Sequence, residues 1–281
     1  MSKPVGKRKV WRYVLGAIVL GVLGMGTYGY FTFHPLLSFN PTDVPPITTN
    51  PVQLDQIFAV SRFRSDAGHD YSMNSWDGET CRSMKNYFNW SQNSANNMPV
   101  RSTPTPDHPN IQVYAPFDGV ISANVAEQTP IGTQVHIAAA KNPAFFVCLF
   151  HIDLLPSLHV GSRVKSGELV GTIGPMDGMD VSYEAHLVTG RNVYLSIFQY
   201  MTPEAFAPYA ALGYKQSNFV LTKEQADALG YQCNGEQFVH TSAPGYPYGN
   251  PLEGYVQLKP NPYAGLTNRQ NVNQGVRGNM H

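Results

Sequence analysis

The sequence is short of charge. Lysine and arginine total 19, aspartate and glutamate also total 19, and charged residues make up only 14% of the 281. A neutral chain has no general field that would draw it onto nucleic acid, so we expect no nucleic-acid partner. The low charge does not indicate disorder, because 42% of the residues are apolar and can build a core.

Cysteine is also scarce, and no pair has the CxxC spacing of a zinc ribbon or a thioredoxin-like site. The three cysteines are Cys81, Cys148 and Cys233. In an exported protein an odd number permits one disulfide and one free thiol. Cys81 can pair with either of the other two, or all three can be thiols. Cys148 lies in an alternating apolar run, which favours a core position for it.

What the chain does have is one long uncharged segment, over residues 13–33, rich in Val, Leu, Ile and Gly. As a helix it would rise about 30 Å, the thickness of a bilayer core. Five basic residues precede it: Lys3, Lys7, Arg8, Lys9 and Arg12. Basic residues stay on the cytoplasmic side, so the sequence predicts a single-pass anchor in the lipid bilayer, a cytoplasmic N-terminus and a periplasmic or extracellular main domain.

A cleaved signal peptide is the alternative to a permanent anchor. Its apolar region would be shorter, at about 7–15 residues, and would end in a small-x-small cleavage site. This run is longer and ends in aromatic residues, which favours the anchor. Either interpretation exports the domain.

Beyond the anchor, 25 glycines, 22 prolines and 16 tyrosines favour short strands and many turns. We predict a mainly β fold with an antiparallel sheet and short helices near the C-terminus. The predicted segments are a basic cytoplasmic segment (1–12), the transmembrane anchor (13–33), a proline-rich linker (34–55), a β domain (56–200), a helical extension (201–240) and an irregular tail rich in Pro, Gly and Tyr (241–281).

Four segments of the β domain carry recognisable motifs. Ala115–Ile121 fits the pattern AP-x-x-G-x-V of a strand pair, and Phe150–Ile152 falls at the position of a Y-x-H-L strand. Val160–Gly174 is a glycine-spaced segment, and Phe63–Ser72 falls at the position of an opening H-x-G-x-D. In order and spacing, these segments resemble the motifs of lysostaphin/LytM-type zinc metallopeptidases. The resemblance covers about residues 60 to 190. It implies an antiparallel sheet with a barrel-sandwich hybrid core.

The resemblance also implies a zinc site and a catalytic pair, but the match is incomplete. The family's metal ligands correspond to Asp66, Asp70 and His186, with Asp66 standing where the family has a histidine. His151 fits the catalytic histidine, and Glu184 stands where another histidine is expected. Two carboxylates and one imidazole can bind zinc or a harder ion such as Mn²⁺, with His151 or Glu184 as general base.

The late motif can also be aligned two residues earlier, with Ser182 and Glu184 on its two histidine positions. Residues i and i+2 share one face of a strand, so periodicity does not choose between the two registers. In the second alignment His186 matches no position of the motif, and the metal site is then degenerate.

These features leave three functions open. The first is a non-catalytic module on a peptidase-like fold, which binds or scaffolds a cell-envelope polymer or an extracytoplasmic protein partner. The second is an active metallohydrolase, an endopeptidase on peptidoglycan or envelope peptides. The third is an adaptor of the membrane-fusion type, which the absence of a heptad run disfavours.

Overall fold

The structure is a computed structural model that describes residues 35–90, 110–127, 131–175, 178–239 and 254–259. The prediction of a mainly β, antiparallel fold with a few short helices is confirmed. The strands are β1 (Ala59–Ser61), β2 (Asn86–Asn89), β3 (Gln112–Tyr114), β4 (Gly119–Ala126), β5 (Thr133–Ala139), β6 (Phe145–Leu154), β7 (Arg163–Val164), β8 (Leu169–Ile173), β9 (Gly178–His186), β10 (Asn192–Leu195), β11 (Cys233–Asn234), β12 (Gln237–Phe238) and β13 (Tyr255–Gln257). The α-helices are α1 (Pro203–Ala211) and α2 (Lys223–Leu229).

One large sheet organises the described residues. Its strands follow the order β13-β1-β2-β9-β6-β5-β4-β7, with β10 also pairing with β9 and with β8 joining β3 to β6. All these pairings are antiparallel. Strands β9 and β6 lie at the centre, and every residue of β9 except His186 is buried. Asp180, Ser182 and Glu184 of β9 are therefore held in a protein interior.

The predicted proline-rich linker packs onto the sheet over the part that the structure describes. Ile47 is fully buried, and its backbone N–H donates to the Tyr200 carbonyl at 2.8 Å. Val52 is buried and forms a bridge with Val113 of β3. The apolar residues between the prolines give this segment an apolar side, which the core covers.

The predicted helical extension is also built into the core. Helix α2 begins at a capping box in which the Thr222 and Gln225 side chains each accept from the other residue's backbone, as the sequence spacing suggests. Phe219, just before it, stacks on Phe198 with ring centroids 4.1 Å apart. In the predicted irregular tail, residues 254–259 include strand β13, which pairs with β1.

A disulfide joins Cys81 to Cys233, and Cys148 is a buried free thiol. One of the pairings left open by the sequence is thus the one formed. It connects the loop between β1 and β2 to the β11–β12 hairpin, 152 residues away along the chain.

Within the described ranges, none of the helices combines the length and the apolar character that crossing a bilayer requires. The predicted anchor over residues 13–33 lies outside those ranges.

Candidate functional site

His151 lies at an irregularity in strand β6. Its φ of 61° is in the left-handed region, which is costly for a residue with a Cβ. The register of β6 against β5 shifts at this place, between Thr133 and Val135. A bulge of this kind re-aims a side chain, and here it directs the imidazole towards two carboxylates.

Two glycines make room for this bulge. A Cβ added at Gly174 would lie 2.9 Å from the His151 carbonyl oxygen, and one added at Gly132 would lie 2.9 Å from the His151 carbonyl carbon. Both distances are too short for real atoms. The backbone at His151 therefore leaves room only for glycine at both positions.

Four charged side chains of alternating sign form a connected group, which we call the buried charge chain: Glu127, His151, Asp180 and Lys85. His151 Nδ1 lies 2.7 Å from Glu127 Oε2, and its Nε2 lies 3.5 Å from Asp180 Oδ2. Lys85 Nζ is 3.3 Å from the same Asp180 oxygen. Lys85 and Asp180 are only 3% and 5% exposed, so the lysine depends on this carboxylate for compensation of its charge, and the carboxylate depends on Lys85 and His151 together.

The Lys85 ammonium is enclosed on its other sides. It lies 4.0 Å from the ring centre of Phe150 and 4.2 Å from that of Tyr71, in cation–π contact with both. It also lies 3.3 Å from His69 Nε2. His69 Nδ1 is 3.0 Å from the Asp70 carbonyl oxygen, so this ring donates at Nδ1 and accepts from the ammonium at Nε2.

The pKa values follow from this arrangement. Burial lowers the pKa of His151, but Asp180 and Glu127 outweigh burial and raise it to about 9. Burial raises the pKa of Asp180, but Lys85 and His151 outweigh it and lower the value to about 2. Burial and then Lys85 lower the pKa of His69. At neutral pH the buried charge chain therefore contains a protonated His151 and an ionised Asp180. The His69 ring next to Lys85 is neutral.

The three predicted metal ligands are not brought together. Asp70 Oδ1 accepts from the backbone N–H groups of Ser72 and Arg82, both at 3.0 Å, and from the Ser72 hydroxyl. His186 Nδ1 lies 2.8 Å from Asn192 Oδ1 at the far end of β9. Asp66 lies near Gly254, at the β13 edge of the sheet. Their assignment as ligands stays a prediction, and this geometry gives it no support.

Glu184, the other predicted catalytic residue, is buried at 5% exposure. Its carboxylate accepts from the Tyr71 hydroxyl at 3.0 Å and from the Ser182 hydroxyl. Burial raises the pKa of Glu184. Ser182 is fully buried and Tyr71 is partly buried, so the Glu184 carboxylate is hydrogen-bonded within the protein.

The described residues do not fit a zinc ion. They contain no group of three His, Cys, Asp or Glu side chains placed to hold a metal. His69 Nε2 and an Asp180 oxygen are potential donors, but the Lys85 ammonium contacts both of them at 3.3 Å. A cation there would repel a second cation, and zinc needs donors at about 2.0–2.2 Å.

An open cavity of about 620 Å³ lies beside the charge chain. Glu127 lines it, as do Thr133, Asp153 and Thr172, and Gly132 and Gly174 form part of its wall. The wall is more apolar than polar, and Ala126, Ile173 and Pro175 contribute to it beside the polar side chains. A mixed wall of this kind suits a ligand with both polar and apolar parts, such as a peptide or a sugar.

Sequence reasoning missed Lys85, His69, Asp180 and Glu127. Asp180 carried a signal, since it shares a strand face with Ser182 and Glu184 at spacing i, i+2. A late motif moved four residues upstream, rather than two, would have placed it opposite His151. Lys85 and Glu127 match no motif position, so only the fold reveals them.

No protein-family model matches the chain, and no curated protein matches it. Solved structures are similar to parts of it. Csd3 of Helicobacter pylori aligns with a TM-score of 0.36 and 12% identity, over 56% of this chain and 35% of that one. A zinc-containing peptidase from Vibrio cholerae gives 0.32 and 18%, over 53% and 39%. The M23 metalloprotease pseudoalterin from the deep sea gives 0.31 and 13%, over 56% and 76%.

The structural neighbours thus include metallopeptidases of the M23 type, the lysostaphin/LytM class that the sequence motifs resemble. The chain spans only about a third of the length of Csd3. At such low TM-scores, the activity of this chain has to be argued from its own residues.

Proposed function

We propose that the chain is a membrane-anchored extracytoplasmic protein whose peptidase-like β domain, of barrel-sandwich type, is a non-catalytic module that binds or scaffolds the cell envelope. One observation carries the non-catalytic part of this proposal. The Lys85 ammonium, bound to Asp180 and His69 and covered by two aromatic rings, fills the centre of the site where a metal would be sought.

His151 supports the same conclusion. A general base has to be unprotonated at the working pH, and a pKa of about 9 keeps His151 protonated near neutrality. Its Nδ1 and Nε2 both face carboxylates, so its proton is held rather than exchanged with a substrate.

Export is supported by two features of different kinds. The basic residues before the apolar segment favour an outside location for the domain. The Cys81–Cys233 disulfide favours an oxidising compartment. The ligand of the module is a cell-envelope polymer or an extracytoplasmic protein, and the cavity beside Glu127 is the place that we assign to it.

The test uses the full chain purified in detergent. Elemental analysis should find zinc well below one atom per chain, and incubation with purified peptidoglycan should release no soluble fragments. Co-sedimentation with the same peptidoglycan should retain the protein. A Thr133→Arg/Thr172→Arg variant, which blocks the cavity, should lose retention by the polymer.

Two results would contradict the proposal. Stoichiometric zinc, together with peptidoglycan cleavage that a chelator stops, would establish the alternative, an active endopeptidase. Equal sedimentation of the protein and its blocked variant would remove the cavity as the binding place. The matched control is Ser157→Arg/Ser217→Arg, which adds two arginines at exposed positions outside the cavity lining and should bind peptidoglycan as the unmodified chain does.

A further inference from the structure

Exposed apolar side chains gather at one end of the sheet, around the β9–β10 hairpin. The members of this group, which we call the hairpin patch, are Leu37, Met73, Trp76 and Val188, at 85%, 69%, 42% and 53% exposure. The other exposed large apolar side chains of the described residues are scattered: Val125, Val160, Leu212, Leu229 and Val239. Single exposed apolar residues need no explanation, but a group of four does.

Backbone contacts fix the four residues of the patch to the same hairpin. The Leu36 N–H donates to the His186 carbonyl at 2.8 Å, and the Val188 N–H donates to the Leu36 carbonyl at 2.9 Å. Leu37 is the next residue, so its backbone lies beside the hairpin. The Trp76 N–H donates to the Asn192 carbonyl at 2.9 Å. The Asn192 side chain in turn donates to the Met73 carbonyl at 3.0 Å.

The connection to the predicted anchor is short. The anchor ends at residue 33, and Leu37 is four residues further along. Even fully extended, four residues reach about 14 Å. Because Leu36 is bonded to the hairpin, the hairpin end of the domain cannot lie further from the apolar core of the bilayer than this short tether allows.

The composition of the patch suits the membrane interface. Tryptophan is enriched at the boundary between lipid headgroups and acyl chains. The Trp76 side chain is half-exposed in the hairpin patch, and the Phe39 ring lies behind it with the two ring centres 5.2 Å apart. Arg191 in the same hairpin is exposed and can meet anionic headgroups.

We propose that the hairpin patch docks into the headgroup region of the lipid bilayer and holds the domain in one orientation on the membrane, with the β9–β10 hairpin facing the lipid. The proposal rests on the proposed membrane anchoring, and the anchor and the patch are tested by separate readouts. It adds to the scaffolding function a fixed direction for the cavity beside Glu127.

The test is lipid quenching of Trp76 in the full chain. Trp11→Phe and Trp90→Phe leave Trp76 as the only tryptophan, and the chain is reconstituted at one copy per nanodisc. Lipids brominated on the acyl chain should remove most of the Trp76 emission, and aqueous acrylamide should have little effect. Adding Leu37→Asn and Val188→Asn should reverse both effects.

A matched probe at another exposed site supplies the comparison. Trp76→Phe with Val125→Trp moves the only tryptophan to β4, three strands away from β9, where acrylamide should quench it and brominated lipid should not. Equal lipid quenching at the two positions, or none at Trp76, would overturn the docking.

Flotation of the full chain with liposomes after an alkaline wash reports on the anchor alone. A chain that does not float overturns both the anchor and the docking, whereas one that floats with Trp76 still in water overturns the docking only. If Trp76 becomes shielded only with two or more chains per disc, the patch is an interface between copies and not a lipid contact.

Discussion

The two ends of strand β9 lie in opposite kinds of surroundings. Near its start, Asp180 joins the buried charge chain, where every ionised group meets one of opposite sign inside the protein. At its other end, His186 leads into a hairpin surrounded by apolar side chains exposed to the surroundings. The first end places charges where apolar groups are usual, and the second places apolar groups where polar ones are usual.

The buried charge chain has its charges paired within the fold, whereas for the hairpin patch we propose a partner outside the fold. The charge chain is satisfied by Lys85, so it needs no metal or substrate to be stable. None of the described residues covers the hairpin patch, and we propose the lipid bilayer as its cover. Substitutions at the first end should therefore change stability, and those at the second should change association.

The largest expected effect comes from Lys85→Met. It leaves the ionised Asp180 buried without its lysine, and removing one partner of a buried pair costs about 3–5 kcal/mol. Urea denaturation of the full chain in detergent should show this fall in the free energy of unfolding. In the control variant Lys165→Met, which breaks the exposed Lys165–Asp118 pair, the midpoint should not move measurably.

A double variant separates charge from packing. Lys85→Met with Asp180→Leu removes both charges and should be more stable than Lys85→Met alone, because no uncompensated carboxylate remains. Equal stability of the single and the double variants would mean that the lysine acts through its packing against Phe150 and Tyr71 rather than through its charge.

The next effect is a dependence of stability on pH. The folded pKa of His151, about 9, is above its ordinary value of 6.5. Its stabilising contribution is therefore complete below pH 6.5 and is lost as the pH rises to 9, by at most about 3 kcal/mol. His151→Gln should flatten this alkaline decline in the free energy of unfolding. An NMR titration that places the His151 pKa near 6.5 would contradict the assignment.

On the acid side the sign reverses. The pKa of Asp180 is lowered to about 2 from 3.8, so its contribution is present above pH 3.8 and is lost as the pH falls towards 2. Asp180→Asn should remove the part of the acid decline in the free energy of unfolding that this carboxylate causes. His151→Gln should flatten the acid decline less than Asp180→Asn does, because Lys85 still lowers the pKa of Asp180. A larger flattening by His151→Gln than by Asp180→Asn would contradict the described geometry.

A smaller effect is expected in the middle of β9. Tyr71→Phe removes one of the two hydroxyl donors to the buried Glu184, and an unsatisfied buried acceptor costs about 1–3 kcal/mol. Tyr114→Phe, whose hydroxyl bonds the Gln112 side chain at an exposed position, should change the free energy of unfolding much less. Similar losses in both variants would show that the Glu184 contact carries no special weight.

The sequence allowed the fold to be predicted further than the site. Glycine spacing over Val160–Gly174, the apolar run at the start of β6 and the alternation along β9 are local patterns, and local patterns are enough to define strands and turns. The site depends on Lys85 reaching Asp180 across the β2–β9 pair, 95 residues apart along the chain. No spacing rule contains that contact.

The proline-rich segment shows a second limit. Proline content predicts an extended linker, and the backbone over residues 35–55 is indeed largely without regular structure. Whether such a segment hangs free depends on the apolar residues between the prolines and on what they meet. Ile47 and Val52 meet the sheet, so the domain begins earlier than composition suggests.

The smallest effect on stability is expected at the hairpin patch. Val188→Ser should change the free energy of unfolding in detergent by less than about 0.5 kcal/mol, because its side chain already contacts solvent. Val193, fully buried on the adjacent strand β10, is the matched position, and Val193→Ser should cost about 2 kcal/mol or more. In liposomes the order should reverse, with Val188→Ser weakening lipid contact at Trp76 and Val193→Ser leaving it unchanged in the folded fraction. A large loss from Val188→Ser in detergent would mean that the fold itself depends on the patch, and the contrast between the two ends of β9 would then be wrong.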